Sequence, residues 1–232
     1  MQNGTEKCVI LFVKCPKPGQ VKTRLNPEIT KEQSAKLYTE FIRDTLDTLH
    51  NLNLPIEIFI DQIPGDGCEA LDFLQQELHL QFGNNLGERM KNAFIEVFSA
   101  SYTQAIIVGS DLPDLPDSVI NEAFQALLVK DAVIGPSADG GYYLLGFKQN
   151  TLLHSVFYDI PWSTGSVYRD TIRELESRAY DTYELKNMND VDDIGDLRDF
   201  VERNSDEKGR ELHSMRYLKE SGLLDELKSE SA

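Results

Sequence analysis

The sequence predicts an α/β domain of three layers, with a mostly parallel central sheet and helices on both faces. Two observations carry this. Short apolar runs alternate along the chain with longer segments of helical periodicity. The runs are continuously apolar rather than alternating, as strands covered on both faces are. At 232 residues, against about 150 per domain, the chain suits one large domain plus an extension.

Residues 8–13 (CVILFV) form the first predicted strand. Thr30 with Gln33 makes the T-x-x-Q signal of a capping box. Behind it Tyr38, Phe41, Ile42, Leu46 and Leu49 recur at three- and four-residue steps, an amphipathic helix. Residues 56–60 (IEIFI) are a second strand, and 71–78 are expected to be helical. Asn85 with Glu88 caps a helix whose apolar face is Leu86, Met90, Ala93, Phe94 and Val97. Residues 105–109 are a third buried strand, and 116–129 read as a helix with Pro116 in its first turn. Residues 132–136 and 142–147 are two more strands across a glycine-rich turn. A helix over 165–179, a strand over 180–185 and a helix over 191–203 complete the series. Ligands of such sheets sit beyond the carboxyl ends of the strands. That rule directs attention to the segments after Val13, Gly109, Pro136 and Leu185.

Composition excludes several classes. The chain has 23 basic and 39 acidic residues, a net charge of −16, which repels phosphate backbones and argues against nucleic-acid binding. No apolar run approaches the ~20 residues of a membrane span. The N-terminal segment 1–7 is polar and runs straight into a strand, unlike a signal peptide. Cys8, Cys15 and Cys68 are too few and too scattered for a disulfide scaffold. Neither CxxC nor HxxxH spacing occurs, so no structural zinc site is expected. The expectation is an acidic cytoplasmic globular protein. The domain is expected over 1–204. Residues 205–232 are strongly charged, with Leu218, Leu223, Leu224 and Leu227 at helical spacing. This extension reads as helical and packs back on the domain, joins a partner chain as in a homodimer, or frays.

Three segments carry candidate chemistry. Lys14, Lys17, Lys22 and Arg24 fall within eleven residues that contain no acid, an electropositive island directly after the first strand. Pro16 and Pro18 stiffen it, and Gly19 lets the backbone turn. Such a loop can clamp phosphate with backbone N–H groups, Lys and Arg; a solvated basic turn is the plain alternative. The loop is neither a Walker A motif, lacking the glycine before Lys22, nor a Cys-x5-Arg loop, since Val21 stands where arginine would. Asp111 falls at the carboxyl end of the third buried strand, where an acid suits a hard-cation ligand, with a cap of the following turn as the plain alternative. Pro113 rules out a Gly-x-Ser-x-Gly elbow there. Asp139-Gly140-Gly141-Tyr142 reads as a hairpin turn or as a ligand edge with a stacking tyrosine. In the run 190–193, Asp193 suits a helix cap, and Asp190 or Asp192 suits a second ligand for the metal on Asp111. Arg89 follows a helix start and is a phosphate contact or a surface ion pair. Trp162, Ser163 and Thr164 line an acceptor pocket, or Trp162 is simply buried.

The runs Phe12-x-Lys14-x-Pro16-x-Pro18-Gly19-x-Val21-Lys22-Thr23-Arg24-Leu25, Gly109-Ser110-Asp111-x-Pro113-x-Leu115 and Pro136-x-x-Asp139-Gly140-Gly141-Tyr142 resemble a bacterial glycosyltransferase-A-like family. The resemblance spans about Cys8 to Arg203. It implies the Rossmann-like GT-A fold of the nucleotide-diphospho-sugar transferases, shared with the molybdopterin-cofactor and sugar-phosphate nucleotidyltransferases. It also implies a nucleotide held by the 14–24 loop and a divalent cation, Mg²⁺ or Mn²⁺. On that view Lys14, Pro18, Gly19, Thr23, Arg89, Gly140, Gly141 and Tyr142 bind nucleotide or substrate. Asp111, with Asp190 and Asp192, holds the metal in place of an Asp-x-Asp motif. Lys22 and Arg24 stabilise charge on the leaving diphosphate, and Asp139 deprotonates the acceptor hydroxyl. Nucleotidyltransferases of this fold carry a glycine-rich loop ending in Arg then Lys. Here prolines and the order Lys22-Thr23-Arg24 replace it. The expected activity is therefore sugar transfer from a nucleoside-diphosphate sugar to a small-molecule acceptor. The alternatives are nucleotidyl transfer from a nucleoside triphosphate to a phosphorylated acceptor, and a noncatalytic nucleotide-binding module.

Overall fold

The computed structural model describes residues 6–26, 28–62, 68–74, 76–206 and 209–229. The start of the polar N-terminal segment, 1–5, lies outside them.

The first strand sets the architecture. In β1 (Lys7–Val13) successive side chains point to opposite faces, and both faces are apolar, so both require cover. Val9, Leu11 and Val13 enter one core and Cys8 and Ile10 the other. Flanking β1 are β2 (Ile56–Ile60) and β4 (Gln104–Gly109), both parallel to it. The full order is β3-β2-β1-β4-β6-β5-β7, with β3 at Leu78–Leu80, β5 at Ala132–Pro136, β6 at Tyr142–Lys148 and β7 at Thr182–Glu184. Only β6 runs against its neighbours, because the short turn after Pro136 folds it back on β5. The sheet is mostly parallel, as expected.

Helices α1 (Lys31–Asn51), α3 (Asp117–Ala126) and α5 (Ile194–Arg203) cover one face, and α2 (Leu86–Ser99) and α4 (Val167–Ser177) the other. Three of them, α1, α2 and α5, start at the caps read from sequence. Thr30 and Gln33 form the reciprocal capping box of α1, Asn85 accepts from Glu88 N, and Asp193 caps α5.

The structure departs from expectation at several places, among them the helices expected over 165–179 and 191–203, which span Val167–Ser177 and Ile194–Arg203. Residues 71–78 do not form a helix: a 3-10 turn at Glu69–Leu71 is followed by β3, which pairs with the open edge of β2. Leu71 and Leu74 have helical spacing, but they serve the α1-side core from a turn, and the backbone of 78–80 finds its partners in the sheet. The helix expected over 116–129 spans only Asp117–Ala126, with Pro116 as its N-cap. Cys15 and Cys68 are joined in a disulfide across 53 residues, with Cα atoms 5.4 Å apart. The bridge is single, and no spacing pattern in the sequence announces it.

In the extension, α6 (His213–Glu220) and α7 (Leu223–Ser229) lie against the domain. Leu218, Leu223 and Leu227 join the α1-side core. Asp44 of α1 is buried and caps α6 from outside, accepting His213 N at 2.6 Å and Ser214 N at 3.0 Å.

Candidate active site

The carboxyl ends of the strands open into a cleft of about 480 Å³. It is lined by Lys14, Lys22, Thr23 and Arg24 and by Asp111, Asp139, Asp190 and Asp192. A basic loop and an acidic cluster thus share one cavity and meet where Lys22 contacts Asp111 and Asp192. The topology explains the meeting. The loop follows β1, Asp111 follows β4, Asp139 lies in the β5–β6 turn, and Asp190 and Asp192 follow β7.

Lys22 is the centre of this network. Its side chain is 4% exposed, and its Nζ donates to Asp111 Oδ1 at 2.5 Å, Val191 O at 2.6 Å and Asp192 Oδ1 at 3.1 Å. Burial works against its charge, but the two aspartates outweigh it and raise its pKa. The same contact holds Asp111 below the usual carboxylate range: desolvation pushes upward, and Lys22, then Lys14, outweigh it. The Lys22 backbone is left-handed, with φ of 47°, which costs a non-glycine residue about 1–2 kcal/mol. The ammonium therefore ties the loop to two strand ends. Arg24, by contrast, is 73% exposed and free to reach into the cleft, 3.9 Å from Asp192. The Lys14 backbone N–H donates to Tyr38 Oη, which shares a 2.6 Å hydrogen bond with Ser110 Oγ.

Asp139, Asp190 and Asp192 each place one oxygen within 4.8 Å of the others. Asp190 accepts from Ser137 Oγ at 2.7 Å. Burial pushes its carboxyl up to about 6; the Ser137 bond opposes this, and the charges of Asp192, Asp139 and Asp111 add to it. Of these acids, Asp192 also meets Lys22 at 3.1 Å and Arg24 at 3.9 Å. Asp111, expected among the metal ligands, is outside this trio, with its Oδ1 2.5 Å from Lys22 Nζ. Asp139, expected as a base, is inside it.

The other predicted residues sort by position. Gly141 and Tyr142 line the cleft. Gly140 does not; with φ of +87°, a Cβ there would lie 2.2 Å from Gly165 O, so this glycine brings two loops together. Gly19 and Pro18 shape the loop away from the cleft, and Gly19 packs on Lys31. Arg89 donates its Nε to Gly83 O and lines an adjoining cavity of about 370 Å³. Trp162, Ser163 and Thr164 line the main cleft. Sequence reading missed Ser137, Asp61 and Gln81. The strand-end rule finds Asp61 when applied to β2, whose last residue is Ile60. Gln81 follows β3, of which only Leu78 falls in the helix expected over 71–78; no strand is expected there and so no strand end to search.

The family described as uncharacterized protein conserved in bacteria (DUF2064) matches residues 45–164 of the chain. Among solved structures, a Desulfovibrio desulfuricans G20 protein assigned to the nucleotide-diphospho-sugar transferases superposes with a TM-score of 0.90 at 33% identity, over 97% of this chain and 98% of that one. A 2-phospho-L-lactate guanylyltransferase of Methanocaldococcus vulcanius is 23% identical over 97% of this chain and 96% of its own length. A cytidylyltransferase of Leptospira borgpetersenii shares the fold with a TM-score of 0.53 at 11% identity, over 95% of this chain and 97% of that one.

Proposed function

The chain belongs to the bacterial family DUF2064, and we propose that it is an enzyme transferring a nucleotidyl group from a nucleoside triphosphate to a small phosphorylated acceptor. One observation carries the reading: a basic loop and a cluster of three carboxylates line one cleft at the strand ends. A triphosphate with its counter-cation complements both at once. The guanylyltransferase named above, similar along its whole length, favours nucleotidyl over sugar transfer. This replaces the sugar transfer expected from the loop's departure from the glycine-rich pattern.

A phosphorylated acceptor also removes a difficulty. Its phosphate oxygen is already ionised near neutral pH, so attack on the α-phosphorus needs no strong base. The new bond is acceptor oxygen to α-phosphorus; the bond broken is α-phosphorus to the bridging oxygen, and pyrophosphate leaves. Asp139 is then not required to take a proton. It joins Asp190 and Asp192, whose clustered hard oxygens suit Mg²⁺ or Mn²⁺. Such a cation, when bound, neutralises phosphate charge as a Lewis acid.

The remaining roles belong to the chain. Lys14 and Arg24 bind phosphate oxygens and meet the charge that grows on the departing pyrophosphate. Lys22 positions Asp111 and Asp192. Tyr38 and Ser110 orient the start of the loop. The test is a product assay with Mn²⁺. Pyrophosphate formed only when a triphosphate and a phosphorylated small acid are both present supports the reading. Release of a nucleoside diphosphate from a nucleotide sugar overturns it.

A further inference from the structure

The 370 Å³ cavity adjoins the main cleft, sharing Lys14 and Asp111 with it. Its walls are largely apolar, with Phe12, Val13, Leu86 and Met90 among them, and suit a flat ring. Asp61 and Gln81 are polar residues at its edge. They are neighbours by register, since Ile60 of β2 and Leu80 of β3 are paired.

Their hydrogen bonding fixes what they can offer. Gln81 Nε2 donates to Val13 O at 3.1 Å and to Phe59 O at 2.9 Å. Two carbonyls can only accept, so the amide cannot be turned round, and both its hydrogens are used. What remains is Oε1, an acceptor. Asp61 Oδ1 accepts the Cys15 N–H at 2.8 Å, which leaves Oδ2, also an acceptor. Among the described residues no donor is seen on either remaining oxygen. Two lining residues, adjacent at the strand ends, thus each keep an acceptor uncommitted.

We propose that Asp61 and Gln81 read the base of the nucleotide and that their paired acceptors select guanine. Guanine carries two adjacent donors, N1–H and the 2-amino group. Adenine and cytosine set an acceptor beside their amino group, and uracil flanks its single donor with two acceptors. Each of these leaves an oxygen of the cavity facing a lone pair, a repulsive and desolvated arrangement. The inference rests on the nucleotidyl-transfer reading and adds to it the identity of the base and the residues that choose it.

The experiment is calorimetric titration of the intact protein with GTP, ITP, ATP, XTP and inorganic pyrophosphate, each with Mn²⁺. Wild type is expected to bind GTP at least about 100-fold more tightly than ATP, with ITP, which lacks the 2-amino group, about 10-fold weaker than GTP. Asp61→Asn turns the free acceptor into a donor. It should weaken GTP at least about 10-fold and strengthen XTP, whose 2-oxo group accepts, while pyrophosphate binding stays unchanged. The ITP comparison needs no variant to fold. Equal binding of all four triphosphates, or an Asp61→Asn protein that keeps its GTP preference, overturns the base assignment alone. Failure of every triphosphate and of pyrophosphate overturns the nucleotidyl-transfer reading together with it.

Discussion

Lys22 Nζ lies 2.5 Å from Asp111 Oδ1, with the lysine side chain almost fully buried. This contact joins the loop after β1 to the end of β4, and Asp192 extends it to the segment after β7. A buried ion pair adds little net stability, but removing one partner leaves an uncompensated charge. Lys22→Met should therefore lower unfolding stability. Because Asp111 and Asp192 are partly open to water, the expected loss is about 1–3 kcal/mol rather than the upper range. Urea denaturation measures it. Transfer activity should fall further than stability explains, since both aspartates lose their anchor.

Asp190 is expected to be a metal ligand, and its carboxyl is pushed up to about 6, first by burial and then by its acidic neighbours. A proton and a divalent cation compete for it. Mn²⁺ affinity should be full near pH 7.5 and fall as the pH drops through about 6. Asp190→Asn should weaken Mn²⁺ by about 10-fold or more and flatten that pH dependence. Titration followed by electron paramagnetic resonance of free Mn²⁺ reads both. Unchanged affinity in the variant would remove Asp190 from the site.

Asp44 gives a stability test remote from the cleft. Burial pushes its carboxyl up to about 6, against the opposing bonds from Ser214 and His213. Its ordinary value is 3.8, so between these pH values the folded protein holds a proton that the unfolded chain lacks. The contribution is full below the ordinary value and lost as pH rises through about 6. In denaturant titrations from pH 3.5 to 7.5, wild type measured relative to Asp44→Asn should lose about 2–3 kcal/mol. A constant difference between the two proteins would refute the shift.

The Cys15–Cys68 bridge anchors the basic loop to the segment after β2 and closes a loop of 53 residues. Reduction, or Cys68→Ser, should lower stability by about 2–4 kcal/mol. Thermal melting with and without a dithiol reductant shows it, and the Cys68→Ser protein should no longer respond to the reductant.

Gly140→Ala should fail for backbone reasons. Its φ of +87° disfavours a side chain, and the added Cβ meets Gly165 O at 2.2 Å. A loss of about 2–4 kcal/mol is expected, with the Asp139 turn displaced. Melting temperature and Mn²⁺ affinity should fall together.

The strands from β1 to β7, save β3, are legible as apolar runs, and the main helices as periodic faces with caps. These are local properties: burial on two faces, repeats of three and four residues, and side chains bonding to nearby backbone. β3 was not legible because three residues at a sheet edge carry almost no pattern, and what makes Leu78–Leu80 a strand is the open edge of β2. The candidate cleft was half legible. Strand-end position singled out Asp111, Asp139, Asp190 and Asp192, and composition singled out the basic loop. By itself the sequence determined the fold class, most element starts and the neighbourhood of the chemistry, since each depends on residues within a few positions. Only the tertiary structure decided that Lys22 belongs to Asp111 and Asp192, that Asp139 joins Asp190, that Cys15 meets Cys68, and that Gln81 gives its amide hydrogens to Val13 and Phe59. Those pairings cross long stretches of chain, and a contact made by folding leaves no period or spacing in one sequence.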